Sequence, residues 1–222
     1  MKIVKPSVDL LFVTPNSAQL IESAGRTCYK SEDLITEDSA DKFVKMIGKR
    51  GHVSVIEHAY ATFRFITDRG ITHEIVRHRL ASYSQESTRY CNYSKEKFGR
   101  EISVVMPSWF RDPLLEQVRR RWVSACTGAE AAYFDLIDSG APPQIARSVL
   151  PTCLKIEIVM TANFREWGWF LLKRLPPAAH PDIRPLAFEV WKHLVGECAP
   201  VFEMAEIRDI AYEYIDTLEG GR

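Results

Sequence analysis

A single α/β domain of interleaved helices and a mixed sheet (α+β in the looser sense) is the fold this sequence predicts, over residues 1–222. Three observations predict it. Runs with helical spacing of apolar residues alternate along the chain with short runs rich in β-branched and aromatic residues. A hydrophobic fraction of 46% in 222 residues supplies one substantial core. No repeat, low-complexity tract or Gly/Ser linker divides the chain.

The elements follow in order. Lys2–Val13 reads as extended, ended by Thr14-Pro15-Asn16. Asn16 or Ser17 caps a helix towards Tyr29, and Thr36, with Glu37 and Asp38 behind it, starts a second reaching Lys49 before Gly51. After a polar turn over Gly51–His58, the alternation of Ala59–Ile66 predicts a strand. A short helix over Ile71–Arg79 then delivers the chain into a loop, Ser82–Arg89. Pro113–Ser139 has helical spacing and few breakers, so one long helix ended by Gly140 is expected, then a short helix carrying Arg147 and ended by Pro151. Thr152–Ala162 is β-branched and reads as a strand. Helices are expected over Glu166–Leu175, Arg184–Glu197 and near the C-terminus.

Charge and cysteine usage exclude several classes of protein. Lysine plus arginine balances aspartate plus glutamate at 29 each, so no global field draws the chain to nucleic acid or to an anionic membrane. Any anion site must be local. The five cysteines are scattered without a Cys-x-x-Cys pair, which fits reduced thiols in a cytoplasmic protein. Met1–Pro6 lacks a signal-peptide pattern, and no stretch approaches the ~20 apolar residues of a membrane span.

The segment Arg77–Tyr90 carries the chemistry. Arg77, Arg79 and Arg89 stand among His78, Ser82, Ser84, Gln85, Glu86, Ser87 and Thr88, with no lysine. Buried without partners, each such group would cost about 1–3 kcal/mol, so this is no core segment. Arginine without lysine favours planar, two-pronged binding of phosphate or carboxylate, the wall of an anion site. On the expected helix Glu74 lies beside Arg77 and His78 at i+3 and i+4, which by itself is equally well a solvated pair. His52, Glu57 and His58 in Gly51–His58 read as a hydrogen-bonding turn, as metal ligands of poor spacing, or as a ligand-facing loop. Arg147 alone reads as a surface residue, and Trp167 and Phe170 as core. Arg165 and Arg174 lie nine positions apart, about 900° around a helix, and so face opposite sides. Glycine-rich nucleotide loops, a nucleophile elbow and an activated cysteine are all missing from the sequence. A nucleic-acid-binding module using the arginines with Tyr83, Tyr90 and Tyr93 is the rival from another class, opposed by the balanced charge. A metal hydrolase using His52, His58, His73 and His78 fails on ligand spacing, and no metal is expected.

Arg77-His78-Arg79, then Ser82, Ser87 and Arg89 at fixed gaps, strongly resembles the signature of the flavin-dependent thymidylate synthases (ThyX). Gly51-His52, Glu57-His58, Arg147 before Leu150-Pro151, Asn163 and Arg174 fall in the family's order, so the resemblance runs from about residue 50 to 185. It implies that dUMP is methylated to dTMP, with methylenetetrahydrofolate as carbon donor and FAD reduced by NADPH. It also implies a homotetramer with active sites where subunits meet.

By matching position, Arg77, Gln85, Ser87, Arg89, Arg147 and Arg174 look like the dUMP shell, with the backbone of Glu74, Ile75 and Val76 and of Glu86 and Thr88. His52, Ser54, Glu57, Arg77, His78, Arg79, Gln85, Asn163, Phe164, Arg165 and Trp169 look like the FAD shell. Arg174 is the expected catalytic residue, stabilising charge that develops on the uracil ring, and Ser87 is a binding hydroxyl. The chain departs from the commoner pattern at Glu74, Ser84 and Gln85, where glutamine, asparagine and glutamate are frequent. Trp169 stands where an asparagine often contacts the flavin.

Overall fold

The structure, a computed structural model, describes residues 1–219. Helix and strand are interleaved along the chain, as the periodicity predicts, and the residues gather into two compact units. The first comprises Met1–Ser7, Phe65–Arg77 and Ser84–Ile158; the second comprises Val8–Arg64, His78–Tyr83 and everything from Val159 on.

In the first unit, β1 (Lys2–Val4) pairs in parallel with β5 (Ser103–Val105), matching Ile3 with Val104. The expected single extended run breaks at Lys5-Pro6, since Pro6 has no N–H to continue a ladder. The amino group of Met1 lies 2.9 Å from the Glu130 carboxylate and 3.2 Å from that of Glu101. α3 (Arg69–Ile75) is capped by Asp68, whose carboxylate accepts the Ile71 N–H at 2.7 Å. The helix is shorter than expected and ends before Arg77, so Glu74 is not set against Arg77 and His78 by helical spacing. α4 (Glu116–Asp138) is the long helix; Pro113 falls in a 3-10 turn ahead of it, and Gly140 at φ +90° takes the left-handed conformation just past its end. α5 (Pro143–Ala146) leads through a 3-10 turn carrying Arg147. The core here is Ile102, Val104, Cys126, Tyr133, Ala146, Leu154 and Ile156.

β2 (Ser7–Val13), β3 (Tyr60–Asp68), β6 (Lys155–Asn163) and β4 (Ala81–Gln85) lie in that order in a four-stranded sheet, of which Val8–Val13, Tyr60–Arg64, Val159–Asn163 and Ala81–Tyr83 belong to the second unit. Strict alternation buries Ala61, Phe63, Met160 and Ala162 on one face. β4 falls where a loop was expected. Its Ser82 and Ser84 are exposed while Tyr83 turns inward, which an edge strand tolerates because one rim of the sheet faces water. α1 (Ser17–Thr27) and α2 (Ser39–Lys49) pack together. α2 buries Ala40, Phe43, Val44 and Ile47 at helical spacing, and a side chain at Gly25 would sit 2.6 Å from the Phe43 ring. Asn16 makes no side-chain cap; it takes a left-handed turn at φ 50°. α6 (Phe164–Arg174) sets Trp167 into the core, where its indole N–H donates to the Ala61 carbonyl at 3.0 Å. α7 (Arg184–Phe202) runs past the expected Glu197 but breaks helical geometry at Cys198, two residues ahead of Pro200, whose ring and missing N–H disrupt the ladder. α8 (Ala205–Glu219) closes the unit.

Among the described residues no helix is long and apolar enough to cross a membrane. All five cysteines are free thiols, Cys126 and Cys153 lying 3.4 Å apart.

Candidate active site

In the first unit the Gln85–Arg89 segment leaves β4 and is fastened at Glu86. The Glu86 N–H donates to the Glu157 carbonyl at 2.8 Å, and the Glu157 N–H donates back to the Glu86 carboxylate at 3.2 Å. Lys155 reaches the same carboxylate at 3.1 Å and Glu157 at 2.6 Å, while the Tyr93 hydroxyl donates to its other oxygen at 3.1 Å. Burial works against the Lys155 ammonium, but its bonds to Glu157 and Glu86 outweigh that and raise its pKa. Burial, then the Glu86 charge, pushes the Tyr93 phenol up, so it stays a donor.

Beyond this anchor the Ser87 carbonyl accepts the N–H groups of Tyr90 and Cys91, and the Ser87 hydroxyl accepts the Arg89 N–H at 3.3 Å. The turn leaves the Arg89 side chain exposed and buries Thr88, whose hydroxyl is 3.3 Å from an Arg147 nitrogen. Gln85 and Ser87 are half-buried, and Arg77 is exposed just past α3, where Val76 caps the helix and Ile75 is buried. Thus the turn brings Thr88 to Arg147 and the Ser87 hydroxyl to the Arg89 N–H, while the exposed Arg89 guanidinium lies 5.6 Å from the Tyr90 ring centroid. An anion could be gripped there.

In the second unit a cavity of about 530 Å³ is walled by the end of α1 (Gly25, Arg26, Cys28, Tyr29), by α2, by residues 51–55 and by Arg165. His52 and Ser54 line it, while the 3-10 turn Val53–His58 carries Glu57, which forms an ion pair with Arg165. Gly51 enters this wall at φ +71°, a conformation that favours glycine. Asn163 caps α6, its side-chain oxygen accepting the Glu166 N–H at 2.8 Å, so its amide nitrogen is the atom left for another partner. Phe164 is fully buried against Phe202, and its backbone N–H donates to the Ala59 carbonyl at 2.8 Å. Trp169 is half exposed with the Lys173 ammonium 4.2 Å from its ring centroid.

The same unit holds His78, Arg79 and Arg174. Arg79 is exposed; His78 is 3% exposed, its ring packed 5.0 Å from that of Phe170. The Nε–H of Arg174 points at His78 Nε2 from 3.1 Å. Arginine is always a donor, so Nε2 presents a lone pair and the ring proton sits on Nδ1. Burial, then the Arg174 charge, lowers the His78 pKa to about 4 and keeps the ring neutral. Its Nδ1 faces the Glu166 carboxylate at 3.4 Å, beyond good hydrogen-bond length, and burial raises the Glu166 pKa. Tyr83 donates to the His78 carbonyl and is held protonated by burial, then by the Glu166 charge.

Glu166, Lys155 and the cavity residues Arg26 and Tyr29 were not singled out by the sequence, and Tyr83 was weighed there only for nucleic-acid binding. One signal could have found Glu166: with Phe170 and Arg174 it forms an i, i+4, i+8 row on one face of α6. Among the described residues no group of three or more His, Cys, Asp or Glu could hold a metal ion.

The profile of the family described as "Thymidylate synthase complementing protein" matches residues 9–201. A flavin-dependent thymidylate synthase of Geobacter sulfurreducens is 33% identical over 205 residues, 89% of this chain and 86% of that protein. The chain belongs to the flavin-dependent thymidylate synthases. Another such synthase, from Mycolicibacterium vanbaalenii, is 36% identical over 210 residues, covering 86% and 80% of the two chains. Among solved structures, a UMP/dUMP methylase, PolB of Streptomyces cacaoi, bound with 5-Br dUMP, superposes with a TM-score of 0.78 at 23% identity. The match spans 91% of this chain and 96% of that one, so the two share a fold.

Proposed function

We propose that this flavin-dependent thymidylate synthase converts dUMP to dTMP, taking its carbon from 5,10-methylenetetrahydrofolate and its electrons, through FAD, from NADPH. The observation that supports this reading is the Glu86-anchored turn, which carries the signature positions Ser87 and Arg89 and whose Thr88 hydroxyl lies 3.3 Å from Arg147. Arg77, Ser87, Arg89 and Arg147 bind and orient the nucleotide, their guanidinium groups matching its phosphate in pairs of hydrogen bonds. Gln85 and the backbone of Glu74, Ile75, Val76, Glu86 and Thr88 complete that shell. Arg174 polarises the uracil ring, stabilising the charge that builds there as C5 gives up its hydrogen to be replaced by a methyl group.

The residues assigned to FAD fit it chemically. The second unit's cavity, about 530 Å³, is of the size of ligand sites and offers the Arg165 guanidinium, the Ser54 hydroxyl and the His52 imidazole to a pyrophosphate and a heteroaromatic ring. Glu57, Arg79, the Asn163 amide, the Phe164 backbone and Trp169 add further contacts, and Arg77, His78 and Gln85 serve the same shell. Bound flavin supplies the hydride that takes the transferred carbon from methylene to methyl. The reading also makes the chain, 1–222, one working domain, assembled as a homotetramer in the cytoplasm.

Two measurements test it. The purified protein should carry, or take up, a group with the visible absorbance of flavin, and should release tritium from dUMP labelled at C5 only when folate and reductant are present. Arg174→Ala should lose that release about 100-fold or more while keeping flavin. A colourless protein indifferent to flavin and dUMP defeats the activity, and a normally active Arg174→Ala variant defeats the role of Arg174.

A further inference from the structure

We propose that Glu166 is a positioning residue for Arg174, acting through His78: it receives the proton on His78 Nδ1 and so keeps the Nε2 lone pair turned to the guanidinium. This rests on the role given to Arg174 above.

Arg174 cannot surrender its proton, so the nitrogen it meets at 3.1 Å must accept. A protonated His78, or the opposite tautomer, would offer Arg174 an N–H in place of a lone pair. The guanidinium would then have to move. Only the neutral ring protonated at Nδ1 fits, and that proton is buried, with Nδ1 lacking a partner within hydrogen-bond geometry. Left unmet, such a buried donor disfavours this tautomer. The Glu166 carboxylate oxygen, 3.4 Å away, is placed to meet it, a few tenths of an ångström from a full hydrogen bond. The ring has little freedom to find another acceptor: Phe170 packs against it, and the Tyr83 hydroxyl ties the His78 carbonyl.

Glu166 has a competing explanation as an acidic residue in the first turn of α6, favourable to the helix dipole. A carboxylate serving only that purpose does as well in water. Glu166 is instead 7% exposed, and burial raises its pKa. Burying it has a cost that the facing His78 imidazole accounts for, and Glu166 itself lies eight residues before Arg174 on the same face of α6. The relay orients the guanidinium without the carboxylate touching the nucleotide or the flavin.

The test uses the flavin-loaded enzyme with Glu166→Leu and Glu166→Gln, the glutamine keeping an oxygen that can accept from Nδ1. Glu166→Leu should lower kcat about 10- to 100-fold, the range for partners that orient a reacting group, with KM for dUMP and flavin content changed less than about threefold. Glu166→Gln should recover most of the rate. In ¹⁵N-histidine spectra His78 of the native enzyme should show protonated Nδ1 and bare Nε2, and Glu166→Leu should lose that pattern. Normal turnover by folded Glu166→Leu, or unchanged His78 signals in it, overturns the proposal. Should the leucine variant fail to fold, Glu166→Gln decides: an Nε2-protonated His78 alongside full activity overturns it, and a retained Nδ1 proton with activity supports it. An active Arg174→Ala variant would instead overturn the role of Arg174 itself, and the two failures are therefore distinguishable.

Discussion

Two glutamates, the half-buried Glu86 in the first unit and the buried Glu166 in the second, sit beside residues assigned to substrate and are held in opposite ways. Glu86 is saturated: Lys155, the Tyr93 hydroxyl and the Glu157 N–H all bind its carboxylate. Glu166 faces a neutral imidazole across 3.4 Å, and burial raises its pKa. A fully paired carboxylate holds a backbone turn still, as Glu86 does for Ser87–Arg89. One set against a titratable ring governs a side chain instead, and that side chain leads to Arg174.

The largest expected difference is in acid stability, and it belongs to the second unit. The His78 pKa falls from 6.5 to about 4 on folding. Between those values the unfolded ring binds a proton that the folded ring refuses, so this stability is complete above about pH 6.5. It is lost as the pH falls through the window, by up to about 3 kcal/mol at ~1.36 kcal/mol per unit. Glu166 acts with the opposite sign above its ordinary 4.5, because burial favours its protonated form in the fold, and so shallows the slope there. Tyr83, raised by burial, titrates well above the window. Urea unfolding from about pH 7 to about pH 4 should show the loss, and His78→Asn should flatten it. An equally steep slope in His78→Asn would remove His78 as its source.

How much of this was legible in the sequence depends on what each segment answers to. α2 and α4 were readable because their burial follows a helical period, and β3 and β6 because theirs alternates. β4 was not, because its outward serines look like a loop and its ladder partner is more than seventy residues away. α3 was drawn too long, since the inward turn that buries His78 leaves no local mark. At the site, the Arg77–Arg89 spacing named the family directly. The Glu86 anchor could not be read, because Lys155 and Tyr93 reach it from separate segments. Glu166 could have been found from its helical row with Arg174 and was overlooked among aromatic neighbours.

A smaller effect should come from the first unit's glutamate. Lys155→Met leaves the Glu86 carboxylate, 13% exposed, with its Tyr93 and Glu157 donors but without its counter-charge. A loss of about 1–3 kcal/mol is expected in urea unfolding. If the anchor fixes the Ser87–Arg89 turn, dUMP binding should weaken with it. A variant destabilised to that extent but binding dUMP normally would show that the turn holds its shape without the ion pair.

The smallest stability effect sharpens the contrast from outside it. Arg165 and Glu57 also pair, but their side chains are 54% and 41% exposed. A pair so open to water and salt contributes at most about 1 kcal/mol, and many contribute nothing measurable. Arg165→Gln should therefore leave the unfolding midpoint nearly unmoved, unlike Lys155→Met. Because Arg165 lines the second unit's cavity, its removal should nonetheless weaken flavin binding about tenfold through the lost charge-assisted hydrogen bonds. Flavin fluorescence titration beside urea unfolding separates the two readings. Unchanged flavin affinity with unchanged stability would reduce the Arg165–Glu57 pair to a solvated surface contact and take Arg165 out of the cofactor shell.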